Sequence, residues 1–414
     1  MLVLAVWFKC VKVLAMNLSF RKKIIYLDTA STTPVDKRVF KAMKPYFSDK
    51  FGNPASLHRL GTEADRAVTI ARQQTANFLQ AHPDEIYFTS GGTEALNWAI
   101  FGVARLFKTP KHLVISAIEH EAVIEPCLWL EKQGWKLTLV SPDKNGLITP
   151  EAVRSAMTSE TVLVAVMTAN NEIGTIQPIR EIAKVIRAER KNRNNHLPYF
   201  LTDACQAPRA VDLAVDKMGV DLLVLNGSKI YGPKGIGSLY IRRDLDIEPL
   251  LFGGGQESGK RSGTSNVPGI VGLGEALMIC AKEREAEKAK LTPLRDFLAM
   301  EIKKKIPEAV INGDLTQRLP SNLHLTIPGL LGEQLVIELS VKGIASSAGS
   351  ACSVFGTGGS RTLRAIGLTP QLAESSLRFS LDRKTTKSDL KKVVTALAKI
   401  VTKIRAFEPK IKTN

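Results

Sequence analysis

The chain has 414 residues, 44% hydrophobic and 23% charged, an ordinary globular composition that suits two or three domains and buries a large core without staples. It carries 57 Lys and Arg against 40 Asp and Glu, a formal charge of +17. No aromatic–basic interleaving or zinc-finger spacing marks a nucleic-acid module. A solvated basic surface is the favoured reading of the charge, and attraction to an acidic partner protein or RNA the sharper one. The five cysteines, Cys10, Cys127, Cys205, Cys280 and Cys352, are scattered without a CxxC pair. That argues against a disulfide framework and structural zinc, and for a reducing cytosol.

Met1 to Asn17 is apolar but interrupted by Lys9 and Lys12. It is too short to span a bilayer and lacks both a basic n-region and an Ala-x-Ala-like cleavage site. Residues 1–24 read as an N-terminal extension, with translation expected to start at Met16 and a weak signal anchor as the alternative. No other segment approaches a membrane span.

From Tyr26 to Arg242 short apolar runs alternate with amphipathic stretches. Strands are expected at Glu85–Thr89, His112–Ser116, Lys136–Val140, Val162–Met167, Tyr199–Thr202, Leu222–Leu225 and Ser238–Ile241. A helix is expected from a Thr62 cap to Leu79, and another from Thr93 with Leu96, Ile100 and Val103 on one face. This pattern predicts an α/β fold with a mainly parallel sheet covered on both faces, whose ligand lies at the carboxyl ends of the strands. A glycine-rich loop follows from Phe252 to Pro268, then a long charged helix near Lys282 to Lys305. The remainder reads as a smaller α+β unit with strands at Asn322–Ile327 and Ser376–Ser380, a helix at Gly332–Ser340, a loop from Ser346 to Gly359 and a final amphipathic helix. The expected division is a large domain over 35–280 and a small one formed by 25–34 with 281–414.

Four short stretches can carry chemistry. Thr89-Ser-Gly-Gly-Thr-Glu94 follows a strand and opens a helix; Gly92 and Thr93 could cradle a phosphate, although an ordinary capped turn is the commoner outcome. Leu201-Thr-Asp203-Ala-Cys-Gln206 puts a carboxylate at a strand end, suited either to capping or to the protonated ring nitrogen of pyridoxal phosphate (PLP). Leu225-Asn-Gly-Ser-Lys229-Ile-Tyr-Gly-Pro-Lys-Gly235 ends a strand with a lysine that is either solvent-facing or, once desolvated, able to form a Schiff base. The glycine order is not that of a P-loop. Ala345-Ser-Ser-Ala-Gly-Ser-Ala-Cys352 sets one thiol among small residues, and here the reactive reading outweighs a buried structural cysteine.

In combination these stretches resemble the NifS/IscS-type cysteine desulfurases of aminotransferase class V, in fold type I of the PLP enzymes. The resemblance runs from Tyr26-Leu-Asp-Thr-Ala-Ser-Thr-Thr-Pro34 to about Phe407. It includes Phe51-Gly-Asn-Pro-Ala-Ser56, Glu119-His120, Asn170-Asn-Glu-Ile-Gly174, Arg261-Ser-Gly-Thr264, Gly349-Ser-Ala-Cys352 and Ser376-Leu-Arg378-Phe-Ser380. It implies that Lys229 holds PLP and serves as general base. Asp203 would face the ring nitrogen, His120 stack on the ring and Gln206 bond its hydroxyl. Gly92, Thr93 and a Thr264 from the second subunit of a homodimer would hold the phosphate. Asn171 and Arg378 would bind the carboxylate of L-cysteine. Cys352 would take the sulfur as a persulfide, leaving alanine, and pass it to an acceptor such as an iron–sulfur scaffold or a tRNA-thiolation relay. No permanent metal is expected; Cys352 is a candidate transient iron–sulfur ligand.

The chain departs from the family where a Ser-x-His pair usually precedes the lysine. Asn226 and Ser228 stand there, able to donate hydrogen bonds to the phosphate but uncharged. Thr29-Ala-Ser31 also differs, with little expected consequence. A selenocysteine lyase or other class V enzyme is the runner-up. A degenerate binding or regulatory protein is the reading from another class, opposed by the intact Lys229, Asp203, His120, Gln206, Arg378 and Cys352.

Overall fold

A computed structural model describes residues 24–349 and 359–407. The N-terminal stretch, Cys352 and residues 408–414 lie outside the described residues. The chain enters through a short strand β1 (Ile25–Tyr26). Seven further strands then form the central sheet: β2 (Ile86–Thr89), β3 (His112–Ser116), β4 (Lys136–Val140), β5 (Thr161–Ala165), β6 (Tyr199–Asp203), β7 (Leu222–Asn226) and β8 (Gly237–Ile241). Their order is β2-β8-β7-β6-β5-β3-β4. The ladders from β7 through β6, β5 and β3 to β4 are parallel, whereas β8 runs antiparallel to both neighbours. The mainly parallel sheet read from the alternation is therefore present, with one reversed strand.

Except in the edge strand β4, where only Val140 is buried, alternation within the strands buries both faces. Val114, Val164, Phe200, Leu223, Leu225 and Tyr240 join one core with the helices Arg59–Leu79 and Ile179–Arg193. Leu113, Ile115, Leu163, Leu201, Leu222, Val224 and Leu239 join the other with Gly92–Ala104 and Glu121–Lys132. Burial on two faces explains the near-continuous apolar runs.

Several strand bounds shift by a residue, and the long helix expected near Lys282 already begins at Val267, inside the expected glycine-rich loop; two further differences have local reasons. The helix expected to start at Thr62 begins at Arg59, because the His58 ring accepts from Gly61 N. Thr62 lies inside, its hydroxyl donating back to the Arg59 carbonyl at 3.0 Å. Strand β5 ends at Ala165 rather than Met167, and the Met167 N–H donates to the Glu119 carboxyl at 2.7 Å.

A three-stranded antiparallel sheet is built from β9 (Val310–Ile311), β10 (Asn322–Thr326) and β12 (Ser376–Ser380), while β11 (Ile344–Ala345) pairs in parallel with β1. Leu323, Leu325, Leu377 and Phe379 form a third core with the helix Lys387–Phe407. The opposite face carries Asn322, His324, Thr326, Ser376, Arg378 and Ser380, all buried. A 39-residue helix, Val267–Lys305, gives its first part to the large-sheet core and Leu291, Leu298 and Ile302 to the small-sheet core.

Asp221, fully buried before β7, accepts from the Phe200 N–H at 2.7 Å and pairs with Arg190 and Arg242. It thereby ties β6, the end of β8 and the helix Ile179–Arg193 together. Removing one partner leaves buried charge uncompensated, so Asp221→Ala should destabilise the protein by about 3–5 kcal/mol. The denaturant midpoint should fall accordingly.

Candidate active site

The carboxyl ends of the parallel strands converge on a cavity of about 270 Å³. Strand β2 leads to Gly92 and Thr93, β3 to His120, β5 to Asn171, β6 to Asp203 and Gln206, and β7 to Asn226 and Lys229. All of these line the cavity, and Arg378 closes it from β12 of the small sheet.

Local bonds fix each group. The helix Gly92–Ala104 has no side-chain cap, so the N–H groups of its first turn abut the cavity. A Cβ at Gly92 would stand 2.9 Å from Cys205 Sγ and 3.5 Å from Asn226 Nδ2, which requires glycine there. His120 caps the helix Glu121–Lys132, its Nδ1 accepting from Ala122 N at 3.0 Å; the ring proton therefore belongs on Nε2. Asp203 ends β6 with Oδ1 accepting from Cys205 N at 2.8 Å. Gln206 Nε2 and Lys229 Nζ both donate to the Ala30 carbonyl, at 2.9 and 3.0 Å, and Lys229 also to that of Ser31 at 2.5 Å. Arg378, 2% exposed, donates to the Asn171 carbonyl, Asp28 Oδ1 and Ser31 Oγ at 2.9, 2.9 and 2.8 Å.

Two sequence candidates lie elsewhere. Ser228 does not line the cavity; its hydroxyl donates to Asn226 Oδ1 at 3.1 Å and its carbonyl takes Thr33 N. Thr264 lines a separate hollow with Ser90, Gly235 and Arg261. Cys352 is outside the described residues. Conversely, Ala30 and Ser31 do more than the sequence suggested, since they hold both Lys229 and Arg378. Cys205 and Met167 are wall residues that sequence reasoning missed, because an apolar or small residue next to a strand end carries no chemical signature.

A family model described as aminotransferase class-V matches residues 25–393. A protein named cysteine desulfurase IscS from Dictyoglomus turgidum is 43% identical over 389 residues, covering 94% of this chain and 97% of that protein. Another of that name, from Methanosarcina thermophila, is 44% identical over 394 residues, covering 95% and 96%. A solved structure titled NifS-like protein superposes with a TM-score of 0.85 at 33% identity, over 92% of this chain and 100% of that one. The chain belongs to the class-V aminotransferase family. Within it the chain groups with the NifS/IscS-type cysteine desulfurases, which are PLP-dependent.

The cavity of this class-V aminotransferase fits PLP. An uncapped helix N-terminus beside Thr93 and the Asn226 amide suits a phosphate. A buried carboxylate at Asp203 suits a protonated ring nitrogen, and Lys229 lies on the same cavity. Among the described residues no cluster of His, Cys, Asp and Glu could hold a metal, and no helix is long and apolar enough to cross a membrane.

Glu119 immediately precedes His120 and is 5% exposed. Its Oε1 accepts from Ser116 Oγ and Met167 N, while Oε2 is buried without a partner. Burial pushes its carboxyl up to about 8, despite the Ser116 and Met167 bonds. The folded protein thus retains a proton there that the unfolded chain loses near pH 4.5. Stability from this group is full below that pH and is lost as pH rises towards 8. Glu119→Gln should flatten the decline, as measured by denaturant midpoints across that window.

Proposed function

We propose that this cysteine desulfurase takes L-cysteine into the cavity described above, holds its sulfur as a persulfide on Cys352 and releases L-alanine. The observation that carries the reading is the convergence of Lys229, Asp203, His120, Gln206, Asn171 and Arg378 on one cavity. Relatives named for the activity support it.

PLP, when bound, supplies an electron sink for the bond-breaking at the substrate's Cα. Lys229 would hold it, with Asp203 keeping a proton at the ring nitrogen and Gln206 and His120 serving the ring. Gly92, Thr93 and Asn226 would receive the phosphate, with Ser228 supporting Asn226. The Arg378 guanidinium and Asn171 bind the substrate carboxylate; Asp28, Ser31 and the Asn171 carbonyl hold the guanidinium in place. Lys229 Nζ, oriented by the Ala30 and Ser31 carbonyls, takes the Cα proton. The Cys352 thiolate attacks the substrate sulfur, forming an S–S bond as the Cβ–S bond breaks. The electron pair left on carbon is protonated, giving the methyl group of alanine.

Several finer assignments belong to the same proposal. Thr264, away from its own chain's cavity, serves the phosphate of a partner subunit in a homodimer. The sulfur goes to a protein acceptor such as an iron–sulfur scaffold or a tRNA-thiolation relay, in a reducing cytosol. Buried, unpaired thiols at Cys127, Cys205 and Cys280 support that location. The separate cores support a large domain over 35–280 and a small one from 25–34 with 281–414.

The purified protein should be yellow and release alanine and sulfide from L-cysteine with a reductant, and Cys352→Ala should abolish sulfide release. A colourless protein, or activity indifferent to Cys352, would sink the mechanism. Arg378→Ala should raise KM for L-cysteine roughly 10- to 100-fold, the loss of charge-assisted hydrogen bonds to the carboxylate.

A further inference from the structure

We infer that Tyr231 is a positioning residue for Lys229: it closes the turn that carries the lysine in a left-handed backbone conformation, and two arginines from separate parts of the fold hold its ring there. The inference rests on the reading of Lys229 as the residue that holds PLP and takes the Cα proton.

Lys229 ends a single short turn, Gly227–Lys229, just past β7. Gly232 N closes it by donating to the Gly227 carbonyl at 3.0 Å. A bond of that span forms when the residue before Gly232 turns left-handed, the position at a helix end where glycine is usual. Tyr231 stands there instead, with a φ of 60°. A bulky side chain keeps that conformation only where its surroundings impose it.

The backbone is gripped first. In an ordinary ending of this kind the Tyr231 N–H would return to the Ser228 carbonyl. Thr33, 1% exposed, enters between them. Its N–H donates to the Ser228 carbonyl at 2.8 Å. Its hydroxyl donates to the same oxygen at 3.0 Å and accepts from Tyr231 N at 2.7 Å. The Tyr231 carbonyl accepts from Asp36 N at 2.9 Å. The segment whose Ala30 and Ser31 carbonyls take the Lys229 amine therefore also fixes the backbone on which the lysine stands.

The buried ring supplies the rest. The guanidinium carbon of Arg383 lies 4.0 Å from its centroid and that of Arg209 4.8 Å, contacts that gain strength away from water. Arg383 follows β12 and pairs with Asp36 and Glu283. Arg209 follows β6 and donates to Glu287 Oε1 at 2.6 Å. The Tyr231 hydroxyl accepts from Arg383 N at 3.0 Å and donates to Asp382 Oδ2 at 3.3 Å. Any apolar side chain could fill the space; two cations over the ring select an aromatic one. Losing that hold lets the turn relax and moves the lysine, and a small misplacement of a reacting group is costly in rate.

The test compares holoenzyme wild type with Tyr231→Phe, Tyr231→Leu and Tyr231→Gly. Borohydride trapping and peptide mass first locate PLP on Lys229. The readouts are the pH midpoint of the bound cofactor's visible band, exchange of the Cα proton of L-alanine in D2O, and backbone hydrogen exchange of the peptide spanning 227–234. Tyr231→Leu, bulky but without a ring face, should shift the midpoint by about one unit, slow Cα exchange roughly 10- to 100-fold and speed backbone exchange. Tyr231→Phe keeps the ring under both arginines and should stay within roughly twofold of wild type in Cα exchange. Tyr231→Gly adopts the left-handed turn freely and should fall between the two. A leucine variant milder than the glycine variant would make Tyr231 a space-filler and overturn the inference. So would a leucine variant unchanged in midpoint and Cα exchange, or a phenylalanine variant as impaired as leucine. If wild type trapped no PLP on Lys229, the cofactor reading would fail, and backbone exchange at 227–234 would still decide the turn. Should Tyr231→Leu not fold, Arg383→Met removes the nearer guanidinium and must move the same readouts.

Discussion

Arg378 carries a full positive charge with 2% of its surface exposed, and a charge so far from water persists only when it is compensated from several sides. The compensation comes from widely separated parts of the chain. Asp28 and Ser31 arrive from the segment after β1, the Asn171 carbonyl from the loop after β5, and the arginine itself from β12. The small sheet, the entrance segment and the large sheet therefore share one electrostatic requirement. His324, its partner across the ladder, is pushed down to about 3 by burial and by the charges of Arg378 and Arg318. It stays neutral and adds no second charge to the buried face.

Around that point the fold divides its labour by chemistry. The parallel sheet delivers short side chains and helix ends to a common edge, where Lys229, Asp203 and Gly92 meet. The small sheet buries apolar residues on one side and offers a polar surface on the other. Ala30 and Ser31 run between them, their carbonyls holding Lys229 and the serine hydroxyl holding Arg378. The amine and the guanidinium are thus registered to each other through two adjacent residues rather than through the distant cores.

Much of this was legible in the residues. The strands His112–Ser116, Lys136–Val140 and Ser376–Ser380 were read with the bounds they have, because period and turn residues agree there. Bounds failed at Thr62 and Met167, where a neighbouring His58 or Glu119 supplied the deciding hydrogen bond; a pattern of apolar spacing holds no record of such partners. The reversed direction of β8 was equally invisible, since burial on both faces looks the same whichever way a strand runs. Among site residues, type and place made strand-end Asp203 and Lys229 candidates, each with an ordinary alternative that only the family resemblance resolved. Arg378 needed the family resemblance, and Ala30 contributes only a carbonyl, which every residue has. Glu119 and Glu172 fall within stretches that match the family but carry no sign of their burial in the residues alone, because burial of a carboxyl is a property of the folded chain.

Cys205 stands on the wall of the cavity proposed to receive the substrate, yet its thiol is pushed well up by burial and by Asp203. Cys127 and Cys280 are buried and likewise raised. Since only a thiolate is an effective nucleophile towards sulfur, these three are chemically silent bystanders. Desolvation thus performs a kind of protecting-group chemistry: rival thiols stay masked by their proton, and a sulfur atom leaving the substrate has no competing destination in the wall around it.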